Sequence, residues 1–202
     1  MTGEAVFLSA SIPDPRRNPQ YAETADPFAI GAAVAGLVHV TLGRRLLVWG
    51  GHPAITPMVW AVAEGVGVEY GSWVKLYQSR FFEGMFPQEN ARFQNVTYVD
   101  AVNDGRDESL AYMRQRMLEE QKFFAAVFVG GMEGVEAECE LFRGLQPAAS
   151  AYAVATTGGA AWRLHGELYD QPACLANSID YIGMFHRLLG IAANETRHPR
   201  RS

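Results

Sequence analysis

The stretch Ala126-Val127-Phe128-Val129-Gly130-Gly131-Met132-Glu133-Gly134-Val135-Glu136-Ala137-Glu138 decides how the rest of the chain is read. Ala126–Val129 is an apolar run suited to a strand buried on both faces, and the glycines end it. From Gly134 to Arg143 the spacing turns helical. A strand that glycines turn directly into a helix sets the helix's first N–H groups beside the strand's carboxyl end. Two upstream stretches repeat the pattern of an apolar strand followed by small residues. Ala5–Ala10 runs into Ser9-Ala10-Ser11, and Leu46–Trp49 runs into Gly50-Gly51-His52-Pro53.

Working outward, further strands are expected at Val74–Gln78, Val96–Val99 and Ala151–Ala155. Helices are expected at Asp26–Leu42, Thr56–Glu64, Asp107–Phe124, Gly134–Arg143, Gly158–Leu168 and Asn177–Leu189. The third helix shows the clearest stripe, through Leu110, Met113, Met117, Leu118 and Phe124. Strands alternating with helices predict an α/β, doubly wound, Rossmann-like parallel sheet of about six strands, with helices on both faces and no hairpin between the third and fourth strands. One domain over residues 1–195 is expected, followed by a solvated basic tail, 196–202, with Arg197, Arg200 and Arg201.

Composition bounds the function. The chain has 202 residues, 17 basic and 22 acidic side chains, a net charge of −5 and 49% hydrophobic residues, as an ordinary globular domain does. An acidic balance argues against binding nucleic-acid backbones, and no apolar run is long enough for a membrane span. Cys139 and Cys174 form no Cys-x-x-Cys pair, and Met1 to Ser11 lacks a basic start and a cleavage site. A cytoplasmic setting is therefore expected. His39, His52, His165, His186 and His198 show no metal-ligand spacing, so neither a metal nor a cofactor is expected. His186 is expected to be a satisfied core or interface histidine.

In an open parallel sheet the carboxyl ends of the strands face one crevice. Ser9, Ala10, Ser11, Gly50, Gly51, His52, Gly130, Gly131, Met132, Glu133 and Gly134 should meet there. The glycines admit a close backbone approach, and the helix start favours an anion. The long segment 12–25, with Pro13, Pro15 and Pro19, is expected to be a functional lid or binding loop from which Arg16 or Arg17 closes over a phosphate through its planar fork. Arg80, in the second long segment 79–95, is another candidate clamp. Glu138, or else Glu133 or Glu136, should meet ribose hydroxyls. Gly65-Val66-Gly67 with Gly71 fails the dinucleotide fingerprint, and neither a Walker-type loop nor a Gly-x-Ser-x-Gly elbow occurs.

The stretch Val129 to Glu138 resembles the Pro-Gly-Gly-x-Gly-Thr-x-x-Glu signature of the LOG family, the "lysine decarboxylase-like" phosphoribohydrolases that release bases from nucleoside 5′-monophosphates. Here Val129 stands for the proline, one residue is inserted before Gly134, and Val135 stands for the threonine. That resemblance implies an arginine on the preceding helix as the partner of Glu138, and Arg114 is its counterpart, followed by Gln115 rather than lysine. The order Phe7–Ser11, Val48–Ile55, Val129–Gly134 and Tyr181–Leu189 is similar to SLOG domains of the same superfamily, in particular to the branch joined to TIR or sirtuin-type domains in bacterial defence. This second resemblance implies sensing of a nucleotide-derived small molecule such as ADP-ribose or cyclic ADP-ribose, with a separate effector protein to control. The alternative is nucleotide hydrolysis with Glu138 and Arg114 as catalytic residues. The helices 107–124 and 177–189 each carry more large apolar side chains than one sheet contact requires, so a homodimer through at least one of them is expected, as the resemblance also implies.

Overall fold

A computed structural model describes residues 5–198. Its single sheet contains the strands β1 (Ala5–Ser11), β2 (Leu46–Trp49), β3 (Val74–Ser79), β4 (Val96–Val99), β5 (Phe123–Gly130) and β6 (Ser150–Val154). They lie in the order β4-β3-β2-β1-β5-β6, every neighbouring pair parallel. The expected doubly wound α/β fold is thus present. Leu76 pairs in parallel with Val96, so no hairpin joins β3 to β4. The chain winds outward from β1 to β4, then returns to the other side of β1 with β5. That reversal makes the β1–β5 boundary the topological switch point, where open α/β sheets hold ligands.

The helices are α1 (Pro19–Ala22), α2 (Pro27–Thr41), α3 (Thr56–Val66), α4 (Arg106–Glu119), α5 (Glu133–Leu145), α6 (Gly159–Glu167), α7 (Cys174–Asn177) and α8 (Tyr181–Leu188). Alternate strand residues serve two cores. Val6, Leu8, Val127 and Val129 pack with α2, α3, α7 and α8. Phe7, Ala126 and Phe128 pack with α4, α5 and α6. In this second core Phe142 is fully buried, stacked on Phe7 at 5.9 Å and edge-on to Phe123 and Phe128. None of the described helices is long and apolar enough to cross a membrane.

Several boundaries differ from the sequence reading. The helix expected to reach Phe124 stops at Glu119, and Phe123 and Phe124 open β5 instead. Its terminator is distant in sequence. The Gln146 amide donates to the carbonyls of Leu118 (2.8 Å) and Gln121 (3.1 Å), satisfying the helix end. A register shift between Ala5 and Val6 against β5 then sets Phe123 on the same face as Phe128. The helix expected over Asn177–Leu189 is broken at Ser178–Asp180, because Asp180 caps α8 by accepting from the Gly183 N–H at 2.9 Å. Ile179 is therefore exposed, and Tyr181, Met184 and Phe185 face the core. His186 Nδ1 lies 2.7 Å from the Ile191 carbonyl.

The first residues of the expected solvated tail are docked rather than loose. Arg197 donates to the Leu42 carbonyl at 2.5 Å, and the His198 N–H donates to Gly43 at 2.8 Å. Arg200 and Arg201 lie outside the described residues.

The four-ring cluster yields the first prediction. Phe142→Ala removes the ring shared by Phe7, Phe123 and Phe128, and should lower the unfolding free energy by about 3–5 kcal/mol in urea titrations.

Candidate functional site

The site begins where β1 and β5 end side by side, with Ser11 paired to Gly130. Gly130 and Gly131 hold φ of +56° and +84°, a region that favours glycine. A side chain at 131 would also overlap Val135 Cγ2. Their backbone groups serve the fold. Gly130 N–H donates to Thr157 Oγ1 (2.8 Å), Gly131 N–H to the Ser11 carbonyl (2.8 Å), and the Gly131 carbonyl accepts from Ala160 (2.9 Å). The turn then delivers Met132, Glu133 and Gly134 to the wall of a pocket of about 650 Å³. Helix α5 starts there with no side chain capping it, so the positive end of its dipole meets the pocket.

Gly134 acts through its lack of a side chain, since a Cβ there would lie 2.9 Å from Arg114 Nη2. Its bareness lets that guanidinium lie against α5. Arg114 Nε donates to Glu138 Oε1 at 3.0 Å, and Ser9 Oγ donates to Glu138 Oε2 at 2.6 Å. Both carboxylate oxygens are thus engaged, with side-chain exposures of only 19% for Arg114 and 14% for Glu138. Three elements, α4, β1 and α5, converge on this carboxylate. The arginine-to-glutamate pairing implied by the LOG resemblance is present in the geometry.

From α5 the pocket runs along the sheet edge past Ala10 and Ser11, then Gly50, Gly51 and His52, to Gln78 and Ser79 after β3. His52 Nδ1 accepts the Ala54 N–H at 3.2 Å, which leaves the proton of a neutral ring on Nε2. Burial, and secondarily the charge of Arg17, hold its pKa below the usual 6.5. Glu133 at the helix start is held below the usual carboxylate range, first by a hydrogen bond from Asn18 and then by its own backbone N–H. Arg17 lines the same pocket and forms no ion pair among the described residues.

The segment 12–25 is a docked strap rather than a free lid. Asn18 Nδ2 donates to Glu133 at 2.6 Å, Tyr21 OH to Glu136 at 2.7 Å, and Thr24 Oγ1 accepts from Gly159 at 3.0 Å. Of its arginines only Arg17 lines the pocket; Arg16 pairs with Asp14 at 3.3 Å in solvent. Arg80 pairs with Glu83 (3.0 Å) and Asp100 (3.3 Å) and lies over the Tyr98 ring, away from the pocket wall. Ser9, Gly130 and Gly131 lie behind the wall, and Glu136 is engaged by Tyr21. Ala10, Ser11, Gly50, Gly51, His52, Met132, Glu133, Gly134, Arg114 and Glu138 do line it. So do Gln78, Phe82, Met85, Phe86 and Arg106, which no motif announced. For Phe82, Met85 and Phe86 the signal was the length and aromatic content of segment 79–95; Gln78, at the end of β3, and Arg106, at the start of α4, had none.

A pH titration tests the His52 assignment. Because its folded pKa lies below the unfolded value, the stability it contributes is complete above pH 6.5 and is lost as the pH falls through the folded pKa. The His52 ring signal in NMR should therefore titrate below 6.5, and a phosphate-bearing ligand should raise that midpoint. A midpoint at or above 6.5 in the free protein would refute the assignment.

The comparisons with known proteins agree with this architecture. No curated protein matches the chain. The solved structure titled X-ray structure of TM1055, a Northeast Structural Genomics Consortium target, is similar with a TM-score of 0.54 and 15% identity. The match covers 92% of this chain and 99% of that one, and it shows a shared fold. The profile of the SLOG cluster3 family matches residues 20–189, which include the strap's second half, the Gly50–His52 turn and all of α5. The chain belongs to the SLOG cluster3 family.

Proposed function

We propose that this chain binds a nucleotide-derived small molecule, ADP-ribose-like or cyclic ADP-ribose-like, and reports its presence to a separate effector protein. This is the role implied by resemblance to the SLOG branch joined to TIR or sirtuin-type domains, and a cytoplasmic setting belongs to the same proposal. One observation carries it: the uncapped start of α5, Arg17 and the His52 ring meet in one pocket at the switch point of the sheet. A phosphate takes N–H donors and a guanidinium fork; the Gly134 N–H and Arg17 supply them, and the Glu133 N–H follows where the phosphate displaces that residue's own carboxylate. A pocket of about 650 Å³ also lies within the range of small-molecule sites.

A second reading rests on the Arg114–Glu138 pair in the pocket wall. A fixed carboxylate beside a ribose could stabilise an oxocarbenium ion, which is the chemistry of a LOG-type nucleoside 5′-monophosphate phosphoribohydrolase. Against general-base action stands the engagement of both Glu138 oxygens by Arg114 and Ser9. Hydrogen bonds to an ionised carboxylate favour that form and so weaken it as a base.

Incubation with AMP and with ADP-ribose separates the two readings. The sensor reading expects binding, seen as a rise in melting temperature, with no adenine or ribose phosphate released on chromatography. Glu138→Gln should then weaken binding only a few-fold. Turnover that disappears in Glu138→Gln would replace the sensor with the hydrolase.

We further propose a homodimer through the α8 face, where Ile179 and Ile182 are 85% and 45% exposed. Light scattering at micromolar concentration should give twice the chain mass, and Ile182→Asp should halve it. A monomeric mass for the unaltered chain would remove the proposal.

A further inference from the structure

The two ends of the pocket differ in chemistry. The α5 end presents N–H donors and Arg17, whereas the β3 end is walled by Phe82, Met85 and Phe86 together with Leu110 and Met113 of α4. The charged pair at this end, Arg106 with Asp107, is internally neutralised at 2.7 Å. Between the ends lie β5, β1, β2 and β3, three strand spacings or about 14 Å. That span suits a nucleotide lying along the sheet edge with its phosphate at α5. The far group would then be flat, apolar on its faces and uncharged.

One carboxamide stands at that far end. Gln78 is 6% exposed and lines the pocket, yet its amide makes no hydrogen bond with any described residue. What remains exposed of this side chain faces the pocket, so its donor and acceptor are held by no protein group and are open to a partner that enters there. Gly51 makes room for it. A Cβ at residue 51 would overlap Gln78 Nε2, so the amide rests against bare backbone at a position with φ of +59°. Neighbouring Ser79 accepts the Phe81 N–H at 3.3 Å, and its single O–H cannot present a donor and an acceptor side by side as a carboxamide does.

We infer that Gln78 is the base-reading residue of this site: its carboxamide pairs with the edge of a nucleobase held against the apolar wall of the β3 end. A carboxamide places one donor and one acceptor side by side in a plane, which matches an adjacent donor and acceptor on a base edge. This inference rests on the nucleotide reading above and adds to it the residue that sets base specificity. Gln78 is distinct from Arg114, Glu138 and Arg17, so its loss leaves phosphate and ribose contacts in place.

The test measures Kd by calorimetry for AMP, GMP, CMP, UMP and ribose 5-phosphate with the unaltered chain, with Gln78→Met and with Gln78→Glu. In the unaltered chain the best base should bind at least tenfold tighter than the worst. Gln78→Met, similar in volume but without donor or acceptor, should shrink that spread below threefold and leave ribose 5-phosphate unchanged, which also shows that the site remains folded. Gln78→Glu accepts without donating and should move the preference towards GMP, whose base edge presents adjacent donors. A spread that survives in Gln78→Met, a ranking unchanged in Gln78→Glu, or no spread in the unaltered chain would overturn the inference while leaving nucleotide binding intact. If neither ribose 5-phosphate nor any nucleotide binds the unaltered chain, the nucleotide reading itself falls and takes this inference with it.

Discussion

The arrangement depends on how β1 and β5 end together. Ser11 pairs with Gly130, and the Ser11 carbonyl takes the N–H of Gly131. With both glycines at positive φ, the chain leaves the sheet sharply enough for α5 to begin beside Ala10 and Ser11. From that start Glu138 comes to face back towards β1, where it meets the Ser9 hydroxyl two residues before Ser11. The carbonyl of Gly131 meanwhile receives the N–H of Ala160, which seats the beginning of α6 on the same turn. A single strand register thus positions a helix start, a carboxylate and a second helix. A one-residue slip of β5 would exchange its two faces and dismantle all three.

The charges of the pocket bear on the proposed recognition of a nucleotide-derived ligand. Arg17, Arg106 and Arg114 stand against Asp107, Glu133 and Glu138 among the lining residues. The wall is formally balanced, on a chain whose net charge is −5. An anionic ligand is therefore not drawn in by a long-range positive field. Recognition has to come from contacts at short range: N–H groups of an uncapped helix, a neutral imidazole donor and the fork of Arg17. Such donors gain most where water is excluded, and the aromatic wall of the β3 end helps to exclude it.

What the sequence disclosed, and what it hid, divides along the same physical line. The strands and the switch point were legible because apolar runs ending in serines or glycines are local signals that tertiary packing does not overrule. The Arg114–Glu138 pair was legible through family resemblance, not through spacing. The end of α4 was hidden, because Gln146 supplies the terminating hydrogen bonds from the far side of β5. The role of Gly131 was half legible: a glycine is required there, but for a tight turn against Val135 rather than for ligand approach. Arg16 and Arg80 illustrate a general difficulty. An arginine in a long loop reads as a phosphate clamp until the structure supplies its carboxylate, here Asp14 for one and Glu83 with Asp100 for the other.

The strap bears on how a bound ligand could be reported. Binding alone transmits nothing; an element must make different contacts in the free and bound states, and another molecule must be able to read the difference. Residues 18–24 touch both parts that such a device requires. Asn18 holds Glu133 at the start of α5, next to Arg17 in the pocket, while Tyr21 holds Glu136 and lies 4.2 Å under the guanidinium of Arg163 on α6. Exposed Pro15, Arg16 and Arg17 lead directly into this network. A phosphate that competes with Glu133 for its backbone N–H would alter the tie between Asn18 and Glu133, one turn away from the Tyr21 contact. In the proposed sensor the strap would thus couple to the ligand by charge and to the surface by position, which a hydrolase could do without.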